Sequence, residues 1–280
     1  MKTLTQLMKE CDALGIEVEN EGQPEAESYI AALREFHWRR AHPDEPLPAQ
    51  TMPMLPGDWN ELDPVVARAI EQDQHRWAVQ PKLDGVRALL HVVSDGIRVT
   101  TRNIGETTYR LSEYQDRLPH LAEGLQPVPG TILDGELVCP RDAIKAGSIQ
   151  TASASQATTV ILATRPANAR KIQTEQKAWL RFHAFDILQY LYNDMTRLPL
   201  SERVTVLSRI FRRIDSPYLE EVPTCIIGKL SVHQQVVDAG ARGTVWKKLD
   251  RPYKSGRRVT HWLKRNRSLE NQRIKETITF

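Results

Sequence analysis

Asp-Gly pairs at the ends of short apolar runs are the feature that most constrains this sequence. Asp95-Gly96 separates "VRALLHVV" from "IRVTTRN", and Asp-Gly between alternating apolar runs is typical of a β-hairpin turn. Asp84-Gly85 follows "WAVQPKL", and Asp134-Gly135 lies inside the strand-like run "GTILDGELV". "AWLRFHAFDIL", "RGTVWKKL" and "THWLKRN" are further predicted strands. Strands and helices do not alternate regularly, so the sequence predicts an α+β fold built on antiparallel sheets and not a doubly wound fold.

Helical periodicity precedes the strand-rich part of the chain. Residues 3–15 place apolar side chains at helical spacing and end at Gly15, and a second helix runs through "AESYIAALREFHWRR". The proline-rich "HPDEPLPAQTMPMLP" that follows favours an extended linker. We therefore predict an N-terminal helical module over residues 1–48 and a main domain over residues 49–276.

Two further helices are predicted within the main domain. "LDPVVARAIEQ" has Asp63 as its cap and Pro64 at its first position, and "LPLSERVTVLSRIFRRI" carries an apolar stripe at helical spacing. From Arg141 to Lys177 the sequence is rich in Ala, Ser, Thr and Gln, with weak periodicity. We expect that segment to form a surface excursion or a short helical insert.

A cationic block near the end of the sequence indicates a polyanionic ligand. The net charge of the chain is only +3, with an isoelectric point near 8.7. The segment "RGTVWKKLDRPYKSGRRVTHWLKRNR", however, carries ten Lys and Arg against a single acid, Asp250. A block of this density suits nucleic acid or a polyphosphate. The alternative is a solvated charged face.

Cysteine spacing and hydropathy argue against two classes of protein. Cys11, Cys139 and Cys225 are isolated, so neither a disulfide framework nor a zinc site is predicted, and a reducing compartment fits. No apolar run approaches the roughly 18 residues of a membrane-spanning helix, and "MKTLTQLMKECDALG" is interrupted by charge. We expect a soluble cytoplasmic protein with no membrane partner.

Lys82, in "PKLDGVR", is the first candidate for chemistry. A lysine with an ordinary pKa of about 10.4 is protonated at neutral pH and is a poor nucleophile. Lys82 is therefore either a plain turn lysine on a hairpin or a lysine whose surroundings lower its pKa. The motifs K-x-D-G-x-R, T-R-N, D-G-E-L, F-D-I-L, G-x-V-x-K and W-L-K follow in order near strand ends. Cations from these motifs would lower that pKa and hold a triphosphate: Arg87, Arg102, Lys247, Arg258 and Lys264.

The α-phosphate of a nucleotide is the natural electrophile for such a lysine, because the sequence has no pyridoxal motif. Attack by the neutral amine would give a lysyl phosphoramidate and release pyrophosphate. Asp84 and Glu136 can reach ribose hydroxyls or Mg²⁺, which prefers oxygen ligands. Phe185 offers a face on which a base can stack. The sequence therefore predicts covalent nucleotidyl transfer through Lys82.

The ordered motifs resemble those of the covalent nucleotidyltransferases, and most of all the ATP-dependent DNA ligases of the bacterial end-joining type. "PMLP", "PKLDGVRALLHV", "TRN", "ILDGELV", "FHAFDILQYLYNDMTRLPLSERVTVL" and "LDRPYKSGRRVTHWLK" match in that order over residues 50–266. The resemblance implies a ligase adenylation domain, in which two antiparallel sheets with flanking helices surround a nucleotide groove. It also implies ATP and Mg²⁺ as cofactors and nicked duplex DNA as the substrate.

The resemblance also implies roles for individual residues. Lys82 would be the adenylated residue, Glu136 would contact the ribose and Phe185 the adenine. The metal ligands predicted from side-chain chemistry, and not from the resemblance, are Asp84 and Glu136. The cations would bind phosphate or nucleotide: Arg87 and Arg102 at the nucleotide or the 5′-phosphate of a nick, and Lys247, Arg258 and Lys264 at phosphate.

Three positions depart from the family pattern. Gln80 stands where ligases usually have a glutamate near the adenine amino group, and its amide oxygen can still accept that hydrogen bond. Arg242 stands in "RGTVWK" where a metal-associated carboxylate belongs, which should weaken a second metal site. Asn266 replaces the second lysine of W-x-K-x-K. These departures point to reduced or altered activity.

The sequence ends at "KETITF", where ligases begin an OB-fold domain. We therefore expect that domain to be absent or truncated after residue 276, and we expect a monomer that works with a separate OB-fold or repair partner. The helices of residues 1–48 resemble a DNA-binding SAP-type module, or they form a hairpin that packs on the main domain.

Two other functions stay open: a non-catalytic or weakened ligase-derived nucleic-acid-binding protein, and an RNA ligase or capping-type nucleotidyltransferase.

Overall fold

The computed structural model describes residues 2–18, 25–44, 51–106, 108–123, 128–145 and 153–267. Its helices are α1 (Leu4–Leu14), α2 (Ala26–Ala41), α3 (Pro64–Gln72), α4 (Arg141–Lys145), α5 (Ala154–Ala163), α6 (Pro166–Glu175), α7 (Leu200–Phe211) and α8 (Lys229–Asp238). Its strands are β1 (Leu55–Asp58), β2 (Trp77–Pro81), β3 (Val86–Val93), β4 (Gly96–Ile104), β5 (Leu111–Glu113), β6 (Thr131–Val138), β7 (Arg181–Tyr190), β8 (Asn193–Asp194), β9 (Leu219–Glu221), β10 (Gly243–Lys248) and β11 (Arg258–Asn266).

The chain divides into two compact units. The first combines Met1–Met52 with Thr101–Glu113, and the second combines Pro53–Thr100 with Tyr114–Phe280. The domain boundary expected after residue 48 falls outside the described residues and stays a prediction, as does the boundary at residue 276.

The first unit contains the two helices that the sequence predicts at its beginning. Thr3 and Gln6 form a capping box at the start of α1, and Gly15 ends that helix with a φ of 68°. The end of β4 and its neighbour β5 belong to the same unit. The core of the unit draws on the helices and on the segment before β5, since it contains Leu7, Cys11, Tyr29, Leu33 and Tyr109.

A four-stranded sheet forms one part of the second unit, in the order β1-β11-β10-β2. β10 runs antiparallel to both β2 and β11, whereas β1 runs parallel to β11. The strands predicted at "WAVQPKL", "RGTVWKKL" and "THWLKRN" are confirmed. β1 is not predicted, because "LPGD" has a proline and a glycine and no strand signal.

The larger sheet of the second unit has the order β4-β3-β6-β7-β8, with β9 beside β7. β3 pairs antiparallel with β6, and β6 pairs antiparallel with β7. The turn at Asp95-Gly96 joins β3 to β4 as expected. The segment from Lys82 to Gly85 does not close a hairpin, however, because β2 and β3 belong to different sheets. The reading of Lys82 as a hairpin-turn lysine is therefore wrong.

Alternating side chains bury the larger sheet on both faces. Ala88 and Leu90 of β3 point into a cluster with residues of α5, α6 and α7. Leu89 points into a second cluster with Phe185 of β7 and Trp262 of β11, so this cluster joins the two sheets. The α+β fold on largely antiparallel sheets is confirmed.

Two helical regions need comment. Within residues 141–177 the helical alternative is confirmed by α4, α5 and α6. The surface excursion is wrong, because Ala157, Ile161 and Ala169 are fully buried. Small residues give the weak periodicity of this segment, yet they allow close packing against the sheet. α8 has no side-chain cap and begins after Gly228, which explains why the sequence did not indicate it. In the part of the chain that the structure describes, no helix has the length and apolarity to cross a lipid bilayer.

Candidate active site

A pocket opens where the two sheets of the second unit meet. The smaller sheet lines it with Pro56, Gln80, Pro81, Val245, Lys247, Trp262 and Lys264. The segment between the sheets contributes Lys82 and Leu83, and the larger sheet contributes Arg87, Glu136 and Phe185. Seven of the predicted site residues therefore meet in one place. Arg258 and Asp84 lie outside this lining, and Arg102 belongs to the first unit.

Lys82 occupies the segment that passes from the smaller to the larger sheet. Its backbone N–H donates to the carbonyl of Gly243 at 2.9 Å. At Gly85 the backbone lies so close to β6 that a Cβ would sit 2.1 Å from the carbonyl oxygen of Leu137. The glycine of K-x-D-G is thus required by this close approach, and it holds Lys82 at the seam between the sheets.

Burial is the main cause of a lowered pKa at Lys82, followed by the positive charge of Arg242. Lys264 lowers the pKa further, whereas Glu136 and Asp84 oppose the shift. The lowered pKa confirms the direction of the sequence-based expectation but corrects its cause. A buried amine loses hydration that favours its charged form.

Two of the cations expected to lower that pKa are held by other partners. The Arg87 guanidinium donates to both carboxylate oxygens of Asp134 at 2.6 Å. Arg258 donates to the carbonyl of Pro56 at 2.6 Å. Asp134 compensates the charge of Arg87, so burial and Arg242 dominate at Lys82.

Buried hydrogen bonds fix the Arg87–Asp134 pair. The Tyr253 hydroxyl donates to Oδ2 of Asp134 at 2.7 Å and accepts from the backbone N–H of Met54 at 2.7 Å. The guanidinium of Arg87 lies 4.5 Å from the centroid of the Phe185 ring. Arg87 is therefore held against the aromatic wall of the pocket.

Lys247 is a buried cation on two aromatic rings. Its Nζ lies 3.7 Å from the centroid of Trp262 and 4.2 Å from that of Phe185, and the residue is 2% exposed. Burial lowers its pKa to about 7, against the weaker opposing charges of Asp186 and Asp134. An anionic ligand in the pocket would supply the negative charge that this ammonium group lacks.

Glu136 and Gln80 provide polar atoms at the pocket. Burial raises the pKa of Glu136 to about 7, although the positive charges of Arg87 and Lys82 oppose the shift. Gln80 donates from Nε2 to the Thr224 hydroxyl at 2.7 Å and to a backbone carbonyl at 3.4 Å, which orients its Oε1 as an acceptor. Both side chains can thus hydrogen-bond to a nucleotide.

The remaining predicted phosphate ligand, Lys264, lies on β11 at the pocket and forms an ion pair with Asp58 at 3.1 Å. Phe185 lines the pocket as the predicted base-stacking residue, and it is 9% exposed. The role of each of these residues toward a nucleotide stays a prediction.

The acidic residues near Lys82 do not fit a resident divalent cation. Oδ1 of Asp84 lies 3.0 Å from Nε of Arg242, so a guanidinium already compensates this carboxylate. Glu136, with its pKa near 7, is only partly ionised at neutral pH. Within the described ranges, no group of three or more His, Cys, Asp and Glu side chains is placed to hold a metal. Asp84 and Glu136 as metal ligands stay a prediction.

Several residues of the site were missed from the sequence. Asp134 lies two residues before Glu136 on one strand, so alternation could have placed both on one face. The same alternation relates Trp262 to Lys264. Tyr253 and the Asp84–Arg242 ion pair give no sequence signal, because their partners are distant along the chain.

Comparisons with known proteins identify the family and the fold of the chain. A family model described as ATP dependent DNA ligase domain matches residues 53–265. A probable DNA ligase of Nocardioides sp. is 27% identical over 217 residues, which cover 76% of this chain and 37% of that protein. The ligase domain of M. tuberculosis LigD has a TM-score of 0.54 at 20% identity, covering 77% of this chain and 59% of that chain. A mycobacterial DNA ligase D complexed with ATP and MES also gives a TM-score of 0.54 at 20% identity, covering 77% and 60%.

These findings confirm the resemblance and the adenylation-domain fold predicted from the sequence motifs. The chain spans little more than a third of the length of the curated relative. Because the family model covers most of its residues, the chain belongs to the ATP-dependent DNA ligase domain family.

Proposed function

We propose that this chain is the adenylation domain of an ATP-dependent DNA ligase and that Lys82 is its nucleophile. The observation that carries the proposal is the position of Lys82 in the pocket between the two sheets, where burial and Arg242 lower its pKa. A lower pKa raises the fraction of neutral amine at neutral pH, and only the neutral amine can attack phosphorus.

The proposed reaction has two transfers. The Lys82 amine attacks the α-phosphorus of ATP, loses a proton, and forms a P–N bond as the bond to the pyrophosphate oxygen breaks. The 5′-phosphate of a DNA nick then attacks the same phosphorus, and AMP passes to DNA as the P–N bond breaks and the lysine regains a proton. Mg²⁺ enters as the complex with the substrate ATP, where it neutralises phosphate charge.

The other side chains of the pocket support this assignment by their chemistry. Phe185 would stack on the adenine and Gln80 would accept from its amino group, while Glu136 would bind a ribose hydroxyl. Phosphate oxygens would be met by cations: Lys247, Lys264 and Arg87 in the pocket and Arg258 at the start of β11. The nucleotide or nick contact of Arg102 stays a prediction. A nicked duplex as substrate, a monomeric state, a separate OB-fold or repair partner and a cytoplasmic location stay predictions.

Intact-mass measurement after incubation with ATP and Mg²⁺ tests the proposal. One AMP per chain is expected, and Lys82→Ala should abolish it. Lys171→Ala is the matched control, because this lysine is exposed on α6 and pairs with Glu175. Absence of an adduct with ATP would refute the proposal, and an adduct with GTP alone would favour a capping-type enzyme. Sealing of RNA ends but not DNA nicks would identify an RNA ligase.

The alternative of a non-catalytic nucleic-acid-binding protein is favoured by one observation, the guanidinium of Arg242 at the acidic side of the pocket. It predicts DNA binding whose affinity falls steeply with salt, without any adduct. Stoichiometric AMP on Lys82 would exclude it.

A further inference from the structure

An arginine and an aspartate form an ion pair close to Lys82. Arg242 lies immediately before β10, with its Nε 3.0 Å from Oδ1 of Asp84. The Arg242 side chain is 53% exposed, whereas that of Asp84 is 16% exposed. The guanidinium is therefore accessible from solvent, whereas the carboxylate is largely shielded.

Backbone contacts on both sides fix the position of Arg242. Its carbonyl accepts from the N–H of Arg267 at 2.9 Å, and the carbonyl of the next residue, Gly243, accepts from the N–H of Lys82 at 2.9 Å. A Cβ on Gly243 would lie 2.1 Å from the carbonyl oxygen of Arg265, so this strand end is packed tightly against β11. The backbone of Arg242 thus stays near Lys82, and only its side chain is free to reorient.

A second carboxylate lies close to the Asp84–Arg242 ion pair. A Cβ on Gly85 would sit 2.8 Å from Cγ of Glu136, so Glu136 packs against the residue that follows Asp84. Oδ1 of Asp84 is buried and has no hydrogen-bond partner in the part of the chain that the structure describes. The positive charge of Arg242 is therefore the nearest compensation for this buried oxygen.

A divalent cation needs several oxygen ligands, usually with more than one carboxylate. A carboxylate that is already paired with a guanidinium has little reason to bind one, because the cation would have to displace an attached positive charge. A carboxylate at position 242, by contrast, would complete a cluster of three acids with Asp84 and Glu136. The residue at 242 therefore determines which cation this side of the pocket holds.

We propose that Arg242 is a built-in counter-cation, which takes the place of a divalent ion on Asp84 and faces the triphosphate of the nucleotide. The guanidinium has five N–H donors, so it can compensate Asp84 by its charge while its terminal nitrogens donate to phosphate oxygens. The triphosphate contact rests on the proposed function, whereas the exclusion of a metal from Asp84 does not.

Manganese binding to the nucleotide-free chain tests the first half of the proposal. Mn²⁺ is titrated into the full chain and its free signal is followed by electron paramagnetic resonance. The unchanged protein is expected to show no site that depends on Asp84, and Arg242→Glu is expected to gain one. The double variant with Asp84→Asn should lose it again. A manganese site in the unchanged protein that Asp84→Asn removes would overturn the proposal, as would failure of folded Arg242→Glu to gain a site.

Binding of metal-free ATP tests the second half. Isothermal titration with a chelator present is expected to show an affinity about tenfold lower for Arg242→Gln, since one charge-assisted contact is lost. Arg251→Gln is the matched control, because Arg251 is 52% exposed and pairs with Asp250 at 3.6 Å. Equal affinities of the two variants would overturn the triphosphate contact.

The two proposals fail in different ways. If no AMP adduct forms on Lys82 but only Arg242→Glu binds Mn²⁺, the proposed function is wrong and the exclusion of metal from Asp84 stands. If the adduct forms and the unchanged protein binds Mn²⁺ through Asp84, the proposed function stands and this inference is wrong. Circular dichroism spectra establish that each variant is folded.

Discussion

In the larger sheet the two fully buried carboxylates face arginines, whereas in the smaller sheet Lys247 faces aromatic rings. Asp134 receives two hydrogen bonds from Arg87, and Asp186 receives two from Arg203. Lys247 has no comparable carboxylate partner at ion-pair distance among the described residues.

This difference separates two uses of buried charge. An ion pair that is satisfied within the protein holds elements together, and breaking it leaves a buried charge without a partner. A buried cation without a carboxylate lowers the stability of the empty protein, yet it supplies binding energy when an anion arrives. The larger sheet therefore fixes the pocket, and the smaller sheet supplies the charge that a phosphate would meet.

The largest effect on stability is expected at the Arg203–Asp186 ion pair, in which both side chains are fully buried. Arg203→Met leaves Asp186 buried and unpaired, so the free energy of unfolding should fall by about 3–5 kcal/mol. Chemical denaturation measures this change. Arg181→Met is the control, because its pair with Glu220 is 3.4 Å long and both side chains are more than two-fifths exposed. The control should lose less than about 1 kcal/mol; equal losses would contradict the comparison.

Replacement of Lys247, the buried cation without a carboxylate partner, should instead raise the free energy of unfolding of the ligand-free protein. Burial holds the pKa of Lys247 at about 7, below its ordinary value of 10.5. Between these two pH values the unfolded chain binds the extra proton and the folded protein does not, so the free energy of unfolding rises with pH across that window. Below pH 7 the folded protein bears the full cost of the buried ammonium.

Lys247→Met should therefore remove this rise and stabilise the ligand-free protein at pH 6, by a few kcal/mol in order of magnitude. Denaturation at pH 6 and pH 9 measures both effects. Lys248→Met, on the same strand, is the control and should keep the wild-type pH dependence. A Lys247→Met protein that is less stable than the unchanged protein at pH 6 would show that the buried ammonium group is compensated within the protein.

A smaller loss of stability is expected at Tyr253, whose neutral hydroxyl donates to Asp134 of the Arg87–Asp134 ion pair. Tyr253→Phe removes the hydroxyl that donates to Asp134, at a cost of about 1–3 kcal/mol for the lost buried hydrogen bond. Adenylation should persist, because Arg87 keeps both bonds to Asp134. Thermal or chemical denaturation is the measurement, with the exposed Tyr192→Phe as control. Loss of adduct formation without loss of stability would assign Tyr253 a direct role in the reaction.

The smallest effect on stability is expected at the pocket rim. Lys264 and Asp58 are 34% and 22% exposed, so Lys264→Gln should cost less than about 1 kcal/mol. The same change should raise the ATP concentration needed for half-maximal adduct formation, because a phosphate cation is lost. Lys171→Gln should change neither quantity. An unchanged ATP requirement would remove Lys264 from the nucleotide site.

The sequence predicted the strands that carry the site because each has a local signal. Alternation and Asp-Gly pairs indicated β2, β3, β6 and β7, and the order of the motifs indicated Lys82, Glu136 and Phe185. The hydrogen bonds that hold the pocket walls have no local sequence signal, because they join positions that are distant along the chain. Arg87 and Asp134 are 47 positions apart, and Tyr253 is 119 positions from Asp134.

The cause of the shifted pKa at Lys82 was likewise beyond the sequence. A count of nearby cations suggested charge repulsion, but burial is the first cause and Arg242 the second. The burial of Lys82 depends on how the two sheets pack around its segment. The hydrophobic periodicity of the sequence carries no information about that packing. The same limit applies to α5 and α6, whose small residues gave a weak pattern although they pack in the core.

The short passage from Lys82 to Gly85 links the two walls of the pocket covalently, and its glycine is wedged against β6. Lys82 lies between a strand of one sheet and a strand of the other, so the position of its amine is tied to the distance between the sheets. A change in that distance would move the amine relative to the other residues of the pocket.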